Sequence, residues 1–178
     1  QILQQLTHLI SSVDCDAVVF SDFRHGIFNK RTIPTLIDAI PQQKFTAADS
    51  QVASRWGNIT EFKGFDLITP NEREARFALA DQDSGIKPLA FDLFDEAQCS
   101  LLILKLGDRG VLTCRGGRDV EEKDPVFSID SFVENVTDAV GAGDALLSYA
   151  VLSMLATNNE VIATLVGSMA AACLCERE

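Results

Sequence analysis

Asp138-Ala139-Val140-Gly141-Ala142-Gly143-Asp144, followed at once by Ala145-Leu146-Leu147-Ser148-Tyr149-Ala150, is a Gly-rich turn feeding a helix with an apolar face. A helix start leaves amides without intrahelical partners and carries a partial positive charge, so it favours anions. Glycines let that backbone approach an anion with no Cβ in the way. Asp144 falls in the first turn, where the helix dipole favours a carboxylate. Such turns are common, and taken alone Gly141 and Gly143 equally serve a plain turn, with Asp144 as its cap.

A chain of 178 residues suffices for one domain with its own core, and 47% hydrophobic residues exclude a disordered chain. The formal net charge of -11 argues against nonspecific binding to nucleic acid or to an anionic membrane surface. No apolar run is long and charge-free enough to span a bilayer, and no basic-apolar signal segment opens the sequence, so the expected location is the cytoplasm. The five cysteines (Cys15, Cys99, Cys114, Cys173 and Cys175) are an odd number without framework spacing, and Cys173 and Cys175 have no neighbouring His to complete a zinc site. They read as structural thiols in a reducing compartment.

Outward from the Gly-rich turn, short apolar runs alternate with helical stripes. Helices are expected over Gln1–Ser12, Lys30–Ile40 with Pro34 in its first turn, from Asn71 to Leu79, over Pro88–Gln98, from the Gly-rich loop to about Ala156, and over Glu160–Cys175. Strands are expected over Ala17–Asp22, Lys44–Asp49, Phe65–Thr69, Leu101–Leu106, Val111–Cys114 and Pro125–Phe132. Gly107-Asp108-Arg109-Gly110 turns a hairpin, Gly116 and Gly117 make another turn, and the Gln51–Lys63 connection holds a short helix with Trp56 packed. The alternation predicts a single α/β domain over residues 1–178, a doubly wound, mainly parallel sheet flanked by helices, with ligand outside the strand carboxyl ends.

The turn resembles the Asp-Thr-x-Gly-Ala-Gly-Asp signature of the ribokinase-like (PfkB) carbohydrate kinases, and four more stretches match that family in order. These are Ser21-Asp22-Phe23-Arg24-His25-Gly26, Asp49, Thr69-Pro70-Asn71-Glu72-Arg73-Glu74 and Lys105-Leu106-Gly107-Asp108-Arg109-Gly110. The resemblance implies a ribokinase-like fold and ATP-dependent phosphoryl transfer to a sugar or sugar phosphate, with Mg2+. It implies that Asp144 is the base, that Gly141, Ala142 and Gly143 form the anion hole, and that Asn71, Lys105, Gly107 and Gly110 bind nucleotide. Glu74 would act on magnesium through water, as magnesium keeps most of its waters, and Asp22 would face magnesium or phosphate or simply cap the next turn. Arg24 would help neutralise phosphate or stay solvated, and His25 reads as a loop residue. The loops resemble those of heptose-phosphate and related sugar kinases of surface-polysaccharide synthesis.

Two departures stand out. Ala139 replaces the usual Thr, removing a hydroxyl from the loop. The family's N-terminal sugar-binding half and β lid are missing, so the sequence is expected to be the C-terminal, nucleotide-binding part of a kinase, compatible with a homodimer. Both departures keep open a nucleotide-binding module without kinase activity; an α/β structural or interaction domain in which the turn has no ligand is the other alternative. No Walker-type P-loop, Gly-x-x-x-x-Gly-Lys-Ser/Thr, is present.

Overall fold

Leu101-Leu102-Ile103-Leu104 has no polar residue because both of its faces are covered. Successive strand residues point to opposite faces. Leu102 and Leu104 pack into one buried cluster with Phe20, Ala48 and Ile68, while Leu101 and Ile103 pack into a second with Ala47 and Leu67. The fold follows from which helices supply the two coverings.

The computed structural model describes residues 1–23, 25–51, 59–116 and 124–176, so Arg24, Trp56 and Gly117 lie outside the described residues. The strands are β1 (Ala17–Asp22), β2 (Phe45–Ser50), β3 (Leu67–Ile68), β4 (Leu101–Lys105), β5 (Val111–Arg115) and β6 (Val126–Ile129). The helices are α1 (Ile2–Ser12), α2 (Thr32–Asp38), α3 (Glu72–Leu79), α4 (Ile86–Ala97), α5 (Ala142–Thr157) and α6 (Glu160–Cys175). The strands form one six-stranded sheet in the order β1-β2-β3-β4-β5-β6. The first four are parallel, while β4–β5 and β5–β6 are antiparallel.

Because the parallel strands advance in one direction, right-handed crossovers put their connections on one face. Ile33 and Leu36 of α2, Ala75 of α3, and Leu89 and Leu93 of α4 cover that face, with Leu3, Leu6 and Ile10 of α1 packed against them. The opposite face is covered by Leu146, Leu147, Ala150 and Val151 of α5 and Ala163 of α6. The expected helices on both faces are therefore present, with the second layer built after β6. Among the described residues no helix is long and apolar enough to cross a membrane.

Helix α5 lies close against α6 because Gly167 has no side chain. A Cβ there would stand 2.9 Å from the Leu146 carbonyl oxygen and 3.3 Å from the Ala150 Cβ. Gly167→Ala is expected to lower stability by about 1–3 kcal/mol through overpacking, outweighing the gain in helix propensity of about 1 kcal/mol. Urea denaturation measures the difference.

Candidate active site

The polar site grows from the same alternation as the core. The register that sets Ala47 and Ile103 against α5 carries Asp49 and Lys105, two residues further on, to the same face at the strand carboxyl ends. Ser21 pairs with Asp49 across β1 and β2, so it lies on that face as well. Above this row sits the first turn of α5.

Gly141 is the N-cap of α5 with φ +83°, a left-handed conformation that favours glycine. Asp144 stands in the first turn, and its carboxylate Oδ1 accepts a hydrogen bond from Ser21 Oγ at 3.2 Å. The Ala142 amide is turned back to the Ala139 carbonyl at 3.2 Å. Gly143 and Asp144 occupy the second and third helical positions, where an amide has no carbonyl behind it within the helix. Of the amides in this turn, those of Gly143 and Asp144 are therefore the ones at helix positions without an intrahelical acceptor. Beneath it, the Lys105 ammonium donates to both Asp49 oxygens, at 3.0 and 3.2 Å.

Asn71 and Glu74 meet each other first. The Asn71 side chain accepts from the Glu74 amide at 2.8 Å, and the Glu74 carboxylate accepts from the Asn71 amide at 2.7 Å, a reciprocal cap at the start of α3. Glu74 is 6% exposed. The Lys105 amide donates to the Pro70 carbonyl at 2.8 Å, docking this helix start beside the end of β4. Asn71→Ala is expected to destabilise the fold by about 1 kcal/mol, the usual worth of such a cap, read from urea denaturation.

Asp22 follows Ser21 in an extended strand and so points to the opposite face of the sheet, where Ser50 Oγ donates to it at 3.3 Å. At 2% exposure it is buried. His25 is exposed and its ring stacks on Phe23, as a loop residue would.

Gly107–Arg109 form a short 3₁₀ turn between β4 and β5, closed by the Leu106 amide donating to the Gly110 carbonyl at 2.8 Å. Arg109 pairs with Glu72, which also binds Arg76 at 2.9 Å, tying the turn to α3. Partial burial opposes ionisation of Glu72, but hydrogen bonds and attraction from Arg76 and Arg109 outweigh it and hold its carboxyl below the usual range.

A cavity of about 390 Å³ opens beside the Gly-rich turn. Lys105, Gly107 and Gly110 lie on one side, Phe132, Val133 and Val136 on another, and Ala139, Gly143, Leu146 and Ala171 close it. Its lining is mainly apolar, the character of a pocket that takes a flat ring while a few polar groups fix orientation. The wall is held by the end of α6. The Cys175 carbonyl accepts from the amides of Thr137 at 2.8 Å and Asp138 at 3.1 Å, and the Glu176 carboxylate accepts from the Glu134 amide at 2.8 Å.

The structure therefore brings Gly143, Asp144, Lys105, Gly107 and Gly110 together, with Asn71 and Glu74 adjoining at the end of β4, and leaves the Asp22 carboxylate on the other face. Sequence reasoning gave no role to Ser21 and none to the Asp130–Val136 wall. It also missed the anchoring at Cys175 and Glu176, which uses a backbone carbonyl that no residue type announces. Burial pushes the Cys99 thiol up to about 12 and the Cys114 thiol up to about 11, consistent with inert structural thiols. Among the described residues no group of three metal-ligating side chains converges.

Comparison with known proteins gives a consistent result. The chain is 28% identical over 160 residues to the bifunctional protein HldE of Helicobacter hepaticus, covering 85% of this chain and 30% of that protein. It is 27% identical over 161 residues to the bifunctional protein HldE of Nitrobacter winogradskyi, covering 88% and 31%. The chain thus spans about a third of the length of these relatives. Among solved structures, phosphofructokinase-2 from Escherichia coli in complex with potassium superposes with a TM-score of 0.81 at 15% identity, covering 99% of this chain and 56% of that one. Ribokinase from Thermotoga maritima gives 0.71 at 21% identity, covering 96% and 53%. Ribokinase from Arabidopsis thaliana, complexed with ribose and ATP, gives 0.73 at 13% identity, covering 99% and 53%. These likenesses confirm the ribokinase-like fold. The family model for pfkB family carbohydrate kinases matches residues 13–178, and the chain belongs to that family.

Proposed function

We propose that this chain is the nucleotide-binding, catalytic part of an ATP-dependent kinase that phosphorylates a hydroxyl of a sugar or sugar phosphate. The observation that carries the reading is the start of α5. There Asp144 is held by Ser21, and the adjacent amides and Lys105 border a cavity of about 390 Å³. The mainly apolar cavity suits the adenine ring, and the turn suits the phosphates. Asp144 accepts the proton of the attacking hydroxyl. The Gly143 and Asp144 amides meet the charge on the transferring phosphoryl group, each well-placed donor contributing on the order of 3 kcal/mol. The Ser21 hydroxyl donates to Asp144 and fixes its carboxylate, so the base needs no reorientation at the moment of transfer.

Magnesium, when bound with ATP, would supply neutralisation of the phosphate charge. Glu74, engaged with Asn71 and nearly buried, suits contact through water rather than direct ligation. Asp22, bonded to Ser50 on the opposite face, would reach the cation only through water as well. The acceptor we favour is a heptose phosphate, on the likeness to HldE proteins. The cytoplasm is the location this reading assigns, with small molecules as partners and no role for nucleic acid or membrane. A homodimer is compatible with it.

The test is ADP release by the full-length protein with ATP, Mg2+ and a panel of sugars and sugar phosphates, heptose phosphates first. Release stimulated by one acceptor is expected. ATP binding without transfer to any acceptor would instead identify a nucleotide-binding module. Ala139, which lines the cavity where the family signature has a hydroxyl, is the observation on that side.

A further inference from the structure

Asp49 is a buried acid at the carboxyl end of β2, 5% exposed, and the chemistry above gives it no task. A buried carboxylate is costly unless paired, and Asp49 is paired with the Lys105 ammonium through both oxygens. The pairing accounts for Asp49 but leaves Lys105 to be explained. Lysine stems usually carry the ammonium out to water, whereas this side chain is 17% exposed and its ammonium lies under the first turn of α5. A Cβ on Gly143 would stand 3.2 Å from Lys105 Nζ and 3.7 Å from Asp49 Oδ2. The positive end of a helix dipole repels a cation, so this placement does not serve the helix. It does serve an anion that approaches the turn from the cavity, which Lys105 and Gly143 both line. Between the two partners, at the end of β3, the Thr69 hydroxyl is buried with no hydrogen-bond partner among the described residues.

We propose that Asp49 is a positioning residue: it holds the Lys105 ammonium beneath the first turn of α5, so that the ammonium and the Gly143 and Asp144 amides close on one phosphate group of the nucleotide. An ammonium has three protons to donate, so it keeps a bond to Asp49 while donating to phosphate. The carboxylate also offsets the repulsion between the ammonium and the helix start, letting the cation wait there before phosphate arrives. The inference rests on the kinase reading and adds to it a residue that acts through another.

A double-mutant cycle on ATP affinity tests it, with calorimetry on the full-length protein as wild type, Asp49→Asn, Lys105→Met, the double variant and Lys105→Arg. A charge-assisted bond to phosphate predicts that each single loss weakens ATP binding by about tenfold. Because Asp49 acts through Lys105, the double variant is expected to bind no more weakly than Lys105→Met, and Lys105→Arg to stay within about threefold of wild type. An ion pair that only straps β2 to β4 would instead lower the melting temperature and leave ATP affinity unchanged. Wild-type affinity in Asp49→Asn, or two losses that multiply to about a hundredfold, would overturn the inference and leave the kinase reading standing. Wild-type protein that binds no ATP would overturn both. If Asp49→Asn melts below the assay temperature, the titration is repeated on it below its melting point: a loss of about tenfold in the folded variant supports the inference, and unchanged affinity overturns it.

Discussion

Asp144→Asn is expected to lower turnover by about a hundredfold to ten-thousandfold, the usual worth of a positioned general base. The substitution removes the proton acceptor and little else. The Asn side-chain carbonyl still accepts from Ser21, so the hydrogen bond that fixes this side chain survives. Losing a negative charge in the first turn of α5 costs about 0.3–1 kcal/mol through the helix dipole, too little to unfold the domain. Removing a carboxylate beside the phosphates also relieves repulsion, so ATP affinity is expected to hold or rise slightly. The pattern to look for in the full-length protein is a collapse of kcat with the Kd for ATP and the melting temperature retained. Turnover within about fivefold of wild type would mean that the proton leaves by another route.

Gly110→Ala carries the largest expected loss of stability. Gly110 closes the turn between β4 and β5 with φ +79°. A Cβ there would stand 2.1 Å from the Ile129 carbonyl oxygen, 2.6 Å from the Asp130 carbonyl carbon and 2.7 Å from the Ser131 amide nitrogen. All three atoms are backbone at the end of β6, so no side chain can swing aside and the segment after β6 must move. Strain and displacement together are expected to cost about 3 kcal/mol or more. Gly64→Ala is the control: φ is +74°, but nothing lies within 4 Å of the new Cβ, so only the conformational penalty of about 1–2 kcal/mol applies. Urea denaturation of the two variants separates clash from conformation. Because Gly110, Asp130 and Ser131 all line the cavity, Gly110→Ala is also expected to weaken ATP binding. Equal stability of the two variants would contradict the close approach of this turn to β6.

Elements whose burial is written in their own residues were legible in the sequence. The Leu101–Lys105 strand and the 16-residue helices α5 and α6, which are apolar nearly all round, fall within a residue or so of where their apolar runs and bounding turns put them. Boundaries set by distant partners were not. Helix α4 begins at Ile86 rather than Pro88, and the proline is tolerated in its first turn because the amide it lacks would have no intrahelical acceptor. The third strand shrinks to Leu67–Ile68, and β6 stops at Ile129, where its following backbone packs against Gly110. Within the site, the Gly-rich turn was readable because glycine, helix start and acid are contiguous. The Asp49–Lys105 pair joins residues 56 apart in sequence, and only the sheet register brings them together. The Asn-x-x-Glu spacing at Asn71 and Glu74 is also the spacing of a reciprocal helix cap, and that cap is what these residues make.

The central claim is that the turn from Gly141 to Asp144 receives the phosphates of ATP. Calorimetric titration of ATP in the presence and absence of Mg2+, wild type beside Gly143→Val, tests it most directly. A valine side chain would occupy the space above Lys105 and Asp49 that the phosphate needs. Binding is expected to depend on magnesium in the wild-type protein and to be lost in Gly143→Val, with both proteins folded. Equal affinity in the two, or no binding by full-length wild type, would contradict it.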